Sequence, residues 1–514
     1  GITDRIQHLN ETTDCLAPCR QKCPGSINIP KYIEYISQGD FANAVLTIKE
    51  RIPLLLVCGR VCPRPCETMC RRQHVDEPVA INMLKRFVAD WEMNSGTRLP
   101  IPCSPDTGNK VAIIGGGPAG LTCAYFLRRL GHKPTIIESL PELGGQLRYG
   151  IPEYRLPKQV LDWEIQGILD LGVDVQTNVK FGRDLDIEEL GRKGFKAVFL
   201  SFGAWDSREM GIEGEDLPGV INGTEMLTKV GLGVGTGVGK KVVVVGGGNT
   251  AIDTARTSVR NGADVTMMYR RTEKEMPAHD DEIKDARDEG VKFLFLAAPT
   301  RVVAGENGHV AGIEYITMQL GEPDASGRRR PEPVPGSETI FECDTIIPAI
   351  GQIIDLDCLY ENGGTECPLK HPKYRAIAAE PATLQTPIPN VFAGGDVVTG
   401  PNLVISAIGQ GRKAARSINK FLATHEIDVP DNLQTTMMEY TLFKDLDGCT
   451  DKPRSQQPHL CSLENRTQCF DEVEGTLTAD QAQFEACRCL RCGLTCYTSD
   501  EDRDNAGVLA STQG

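Results

Sequence analysis

The sequence predicts an α/β protein: two parallel-sheet units, the second inserted in the first, with a helical N-terminal domain and a cysteine-rich C-terminal extension. Three observations predict it. Buried strand, glycine turn, helix and second strand follow one another in KVAIIGGGPAGLTCAYFLRRLGHKPTIIE. The same plan returns about 130 residues later in KKVVVVGGGNTAIDTARTSVRNGADVTMMYRR. The cysteines crowd the two ends: of 19, seven lie between residues 15 and 70 and seven between 449 and 496.

Residues 1–108 read as mostly helical. PKYIEYISQGDFANAVLTIKERIP places apolar residues at helical spacing with a break at Gly39-Asp40, and VAINMLKRFVADWEM is a second amphipathic helix. TRLPIPCSPDTGNK is a linker by its Pro and Gly content. Within this domain stand Cys15-x3-Cys19-x3-Cys23-Pro and Cys58-x3-Cys62-x3-Cys66-x3-Cys70. The N-terminal stretch is polar, without the apolar core of a signal peptide, and no run of 18 apolar residues occurs. A cytoplasmic, reducing setting is therefore expected, in which dense cysteines hold metal rather than disulfides. The net charge of −15 argues against nucleic acid and anionic membranes as partners.

Residues 109–235 open the first α/β unit. In Gly115-x-Gly117-Pro118-Ala119-Gly120 the glycines allow a tight turn, a close approach to a pyrophosphate and the packing of helix on strand, with the phosphates at the helix N-terminus. Glu138 ends the next strand, where a carboxylate accepts from ribose hydroxyls. The hinge-like VGLGVGTGVGKK leads into residues 236–344 and a second fingerprint, Gly246-x-Gly248-Asn249-Thr250-Ala251. Here the strand ends in Tyr269-Arg270-Arg271 instead of an acid. Guanidinium groups bind a 2′-phosphate that a carboxylate would repel, which favours NADP(H) over NAD(H); a solvated Arg pair is the alternative. In residues 345–425, Gly351 lies in the turn AIGQ, Gly395-Asp396 closes an apolar strand, and Ala407 follows on a helix. Asp396 is placed to accept from a ribityl chain, provided this segment rejoins the first unit. The units are then Rossmann-like dinucleotide-binding domains, FAD in the first and NAD(P)H in the inserted second. A nicotinamide feeding a flavin needs no side-chain acid or base, so no catalytic residue is assigned. It needs an electron exit, which favours iron–sulfur over redox-inert zinc at the N-terminal cysteines.

The chain resembles the small (beta) subunit of bacterial glutamate synthase and its relatives, the large subunit of NADH-dependent ferredoxin–NADP oxidoreductase and the N-terminal half of dihydropyrimidine dehydrogenase. CRQKCPGSINIPKYI, VCGRVCPRPCETMC, GGQLRYGIPEYRLPK, YRRTEKEMPA and AGGDVVTGPNLVISAIGQGRKAA carry the resemblance, from residue 15 to 425. It implies FAD, NAD(P)H and N-terminal [4Fe-4S] clusters that pass electrons to or from a partner subunit, ferredoxin among the candidates, in a hetero-oligomer. It also implies that Gly144-Gly145-Gln146-Leu147 and Gly150-Ile151 lie against FAD. The family interleaves two clusters across both cysteine segments and often uses one Glu or Gln ligand. The matching position here is Lys85, and the family's most N-terminal cysteine is missing before Cys15. One full cluster is expected; a second uses an oxygen ligand such as Asp14 or is absent.

Residues 426–514 form the extension, which the resemblance does not cover. CRCLRCGLTC places Cys487, Cys489, Cys492 and Cys496 within ten positions. A third [4Fe-4S] cluster on Cys489, Cys492 and Cys496 is expected, with the fourth ligand from Cys487, Cys449, Cys461 or Cys469 and with Arg488 and Arg491 offsetting its charge; zinc and free thiols are the alternatives. The function expected is electron transfer between NAD(P)H, FAD and clusters. An electron-bifurcating subunit and a non-catalytic cluster-bearing scaffold are the rivals. A disulfide reductase is disfavoured, since no CxxC lies between residues 71 and 448.

Overall fold

The computed structural model describes residues 17–324, 327–359, 369–370, 375–427 and 450–492. The N-terminal helices Pro18–Lys22, Ile29–Ser37, Phe41–Lys49, Leu55–Val61 and Ile81–Asn94 enclose a core of aliphatic side chains. Ile29, Ile33 and Ile36 fall on one face of their helix and are buried, the 3.6-residue period expected of an amphipathic helix. Asp40 caps the next helix by accepting the Asn43 N–H at 3.1 Å. Leu55–Val61 has no cap of its own. Glu164, from the following unit, accepts its Leu56 and Val57 N–H groups at 2.6 and 2.9 Å. Burial pushes that carboxyl up to about 7.

One parallel sheet runs in the order Val391–Ala393, Phe195–Leu200, Lys110–Ile114, Lys133–Ile137, Asp174–Gln176. The edge strand Val391–Ala393 pairs in parallel with Phe195–Leu200 although nearly 200 residues separate them. A second parallel sheet runs Thr345–Pro348, Lys241–Val245, Asp264–Tyr269, Lys292–Phe295. The chain thus leaves the first unit, builds the second and returns. The return comes later than the expected boundary at residue 345, because Thr345–Pro348 pairs with Lys241–Val245 inside the second sheet. An antiparallel layer built on Ala297–Ala304 and Val310–Pro323 adjoins the second unit.

The described part of the extension, residues 450–492, packs on the N-terminal helices. Its helix Ala479–Ala486 lies against Ile29–Ser37 and Ile81–Asn94, and Leu477, Ala482 and Ala486 join the N-terminal core. Arg488, 0 % exposed, donates to Asp76 at 2.8 Å, to Glu485 at 2.6 Å and to the Glu77 carbonyl at 2.7 Å. Arg454 pairs with Glu67 at 2.6 Å, and Glu472 takes both Arg60 and Arg86 at 2.7 Å. The same stretch reaches the inserted unit, where Arg260 donates to the Cys469 carbonyl at 3.1 Å.

Candidate functional site

The strand Lys110–Ile114 delivers the chain to Gly115, whose φ of +102° lies in the left-handed region. A Cβ there would stand 2.6 Å from the Ser201 carbonyl oxygen, so only glycine fits. Gly117 caps the helix Pro118–Arg129, which carries Pro118 in its first turn and buries Ala119 and Gly120. The Glu138 carboxylate is buried behind this turn and accepts the Gly116 N–H at 2.7 Å and the Leu140 N–H at 2.9 Å. Its remaining lone pairs are what a ribose could use.

Gly144 donates to the Gly116 carbonyl at 2.9 Å, which sets the Gly144-Gly145 loop against the first turn. Gln146 begins a short helix that buries Leu147, and its Nε2 is buried without a hydrogen-bond partner. Gly150 follows at the helix end and Ile151 packs on the core. From the returning segment, Gly395 donates to Gln410 Oε1 at 2.7 Å and brings Asp396 over Ala119: a Cβ on Gly395 would lie 3.2 Å from that of Ala119. Burial pushes the Asp396 carboxyl up to about 7, opposed by a hydrogen bond from the Asn402 backbone. Ala407 is buried on the helix Val404–Thr424. Gly351 has a φ of +125° and open space where a side chain would be. An open helix N-terminus, an orphaned buried amide and a half-buried carboxyl with no cationic partner fit FAD's pyrophosphate and ribityl hydroxyls.

The second turn repeats the first. Gly246 follows Lys241–Val245, Gly248 caps the helix Asn249–Arg260, and Ala251 is buried. Asn249 accepts the His279 N–H at 3.3 Å, Ala278 donates to the Gly247 carbonyl at 3.1 Å, and Thr250 uses its carbonyl for Thr254. The EMPA segment is thereby laid over the glycine turn. The expected arginine pair is split. Arg271 is buried, donates to the Arg329 carbonyl at 2.7 Å and pairs with Asp324 at 2.8 Å. Arg270 is exposed at the strand end and has no hydrogen bond or ion pair among the described residues.

The cysteines form two groups. Cys23, Cys58, Cys62 and Cys66 lie in one another's field, around the buried Lys85. Burial alone would lower the Lys85 pKa, but the surrounding thiols, Cys62 first, hold it above its ordinary value. Cys19, Cys70, Cys489 and Cys492 line a single pocket. The Cys19 thiol is raised by burial first and then by Cys489, Cys66, Cys70 and Cys492. Among the described residues no three His, Cys, Asp or Glu side chains are close enough to share one ion.

Several expectations for the extension need correction. Cys487 is exposed, because it ends the helix Ala479–Ala486 on the side away from the pocket. Cys461 neighbours Cys469 instead of Cys489. Arg488 is consumed by Asp76 and Glu485; Arg491 pairs with Glu34 at 2.6 Å, yet its charge still reaches Cys489. Cys15, Cys449 and Cys496 lie outside the described residues. What the sequence reading missed is that Cys489 and Cys492 line one pocket with Cys19 and Cys70; the cysteine missing before Cys15 and the CxxC at 489–492 were its one signal.

Residues 109–411 match the pyridine nucleotide-disulphide oxidoreductase family, and residues 3–97 match the dihydropyrimidine dehydrogenase domain II, 4Fe-4S cluster family. The chain is 44 % identical over 504 residues to the NADPH-Fe(3+) oxidoreductase subunit beta of Geobacter sulfurreducens, covering 93 % of this chain and 75 % of that protein. It is 43 % identical over 506 residues to the NADP(+)-dependent formate dehydrogenase subunit beta of Moorella thermoacetica, covering 93 % and 70 %. It is 39 % identical over 425 residues to the glutamate synthase [NADPH] small chain of Escherichia coli, covering 79 % and 88 %. Mycobacterium tuberculosis FprA in complex with NADPH shares the fold at a TM-score of 0.53 and 18 % identity, covering 62 % of this chain and 85 % of that one.

Proposed function

The chain belongs to the pyridine nucleotide-disulphide oxidoreductases, in the group that includes the glutamate synthase small chain and the NADPH oxidoreductase beta subunits, and from that premise we propose that it is an electron-transfer subunit linking NADPH, FAD and [4Fe-4S] clusters to a partner protein. When bound, the flavin accepts the nicotinamide's two electrons together and releases them singly. The chain's own residues do the rest. Gly115, Gly117 and Gly120 with Glu138, Gln146 and Asp396 hold the flavin nucleotide; Gly246, Gly248 and Ala251 hold the nicotinamide nucleotide; Arg270 reads its 2′-phosphate. Cys23, Cys58, Cys62 and Cys66 hold one cluster.

The observation that carries this reading is the contact between the Val404–Thr424 helix and the cysteine segment. A Cβ on Gly409 would lie 2.4 Å from the Pro24 carbonyl oxygen, and one on Gly25 would lie 2.9 Å from Ile405 Cδ1. The helix that carries Ala407 at the flavin site thus touches the residue that follows Cys23. The position of Gly409 demands a bare backbone, and that closeness gives electrons a short passage.

Anaerobic stopped-flow mixing with NADPH tests the reading. The flavin absorbance should bleach first and cluster absorbance should follow. Gly409→Val, which forces the helix and the cysteine segment apart, should leave the first phase intact and slow the second. Flavin bleaching with no cluster phase in the unaltered chain would show that this contact does not carry electrons.

A further inference from the structure

We propose that Cys19, Cys70, Cys489 and Cys492 ligate a single [4Fe-4S] cluster, two ligands coming from the N-terminal helical domain and two from the C-terminal extension. The inference rests on the reading above that the chain carries iron–sulfur clusters, and it replaces the separate third cluster expected on the extension.

Four observations carry it. First, all four thiols line one pocket, between the helices Pro18–Lys22 and Ile29–Ser37 on one side and the 489–492 segment on the other. Second, the remaining described N-terminal cysteines, Cys23, Cys58, Cys62 and Cys66, surround Lys85, with Cys66 also facing Cys19; assigning the four pocket-lining thiols to one site leaves these four for the other. Such a cluster takes four cysteines, and neither set then needs an oxygen ligand. The division alternates along the chain: Cys19 and Cys23, four residues apart, go to different sets, as do Cys66 and Cys70.

Third, the docking that brings Cys489 and Cys492 here is built rather than incidental. Arg488 is wholly buried between the exposed Cys487 and the half-buried Cys489, and its guanidinium is fixed by Asp76, Glu485 and three carbonyls, of Glu77, Pro78 and Lys452. Glu485, itself 0 % exposed, accepts the Ala80 N–H at 2.8 Å and the Ser455 N–H at 2.8 Å. This network sets the register of the next residues, so that Cys489 turns inward and Cys487 outward. Fourth, Arg71 follows Cys70, lines the pocket and hydrogen-bonds to Cys492, and together with Arg491 beside Cys489 it supplies positive charge there. A cation there stabilises a thiolate-ligated cluster and raises its potential.

The test uses the full chain, loaded with iron and sulfide under anaerobic conditions. Iron, acid-labile sulfide and the reduced-state EPR spectrum are measured for the unaltered chain and for three variants: Cys489→Ser/Cys492→Ser, Cys19→Ser/Cys70→Ser, and all four together. Each pair should remove about four irons per chain and the same EPR signal, and the fourfold variant should remove no more than either pair. Cys487→Ser should remove none. FAD content and bleaching by NADPH report that each variant has folded. Where a pair does not fold, Cys492→Ser alone should give the oxidised-state EPR signal of a three-iron cluster. Additive losses of about eight irons, or release of zinc with the iron count unchanged, overturn the composite site while leaving the electron-transfer reading in place. An unaltered chain that holds no iron removes both.

Discussion

Arg488 and Asp76 meet at 2.8 Å across 412 residues of chain, with the guanidinium shielded from solvent. Asp76 is held well below the usual carboxylate range by the hydrogen bond from Arg72, against the opposing effect of burial, with the Lys452 and Glu77 backbone and the Arg488 charge adding to it. Arg488→Ala leaves the wholly buried Glu485 without its ionic partner and Asp76 with Arg72 alone. Removing one member of a buried pair costs about 3–5 kcal/mol, so thermal unfolding of the variant should begin well below that of the parent. The depressed Asp76 pKa contributes stability above the unfolded-state value near ~4, and that stability is lost as pH falls through the folded-state value. Limited proteolysis should accordingly release the extension below about pH 4 and not at neutral pH.

Arg270 and Arg271 should behave differently when replaced singly. Arg270→Ala removes an exposed guanidinium and should raise KM for NADPH by about tenfold or more, the equivalent of about 1.5–3 kcal/mol for a charged hydrogen bond. KM for NADH should not move. Arg271→Ala breaks the contact with Asp324 and should lower thermal stability with similar effects on both nucleotides. Equal discrimination loss in the two variants would assign the 2′-phosphate to Arg271 as well.

Lys85 places a buried cation among Cys23, Cys58, Cys62 and Cys66. Positive charge beside a thiolate-ligated cluster favours its reduced form. Lys85→Met, which keeps the length and removes the charge, should shift the midpoint potential of one cluster downward in a redox titration and leave the other near its parent value.

Asp396 titrates with the opposite sign to Asp76. Burial raises its folded-state pKa to about 7, so the folded chain holds this proton more tightly than the unfolded one. Stability of the flavin-free protein should fall as pH rises from about 4 toward 7, and Asp396→Asn should flatten that part of the thermal-unfolding profile. A profile unchanged by the substitution would mean that the carboxyl is solvated.

Much of the architecture was legible because it is written in local pattern. Strand, glycine turn and helix at residues 110–129 and 241–260 need only short-range spacing to be read, and the strand Val391–Ala393 could be assigned to the first sheet because its glycines and Asp396 ask for a partner there. The paired arginines were legible as residues but not as roles: Asp324, which takes Arg271, lies in the adjoining antiparallel layer, and nothing in the sequence ties the two together. The neighbours of the extension's cysteines were illegible for the same reason. CRCLRCGLTC shows four cysteines in a row, and local spacing invites a local site. That Cys489 faces inward and Cys487 outward depends on Arg488 finding Asp76, a contact of long sequence separation that no window of the sequence contains.

The docking of residues 479–492 onto the first helices also bears on biosynthesis. Cys70 leaves the ribosome about 400 residues ahead of Cys492; at about 5–20 residues per second that is an interval of tens of seconds. Through that interval the nascent N-terminal domain displays Asp76 and an apolar face, with Glu67 short of its partner Arg454. The pocket lined by Cys19 and Cys70 is therefore completed only when the final segment brings Cys489 and Cys492 to it.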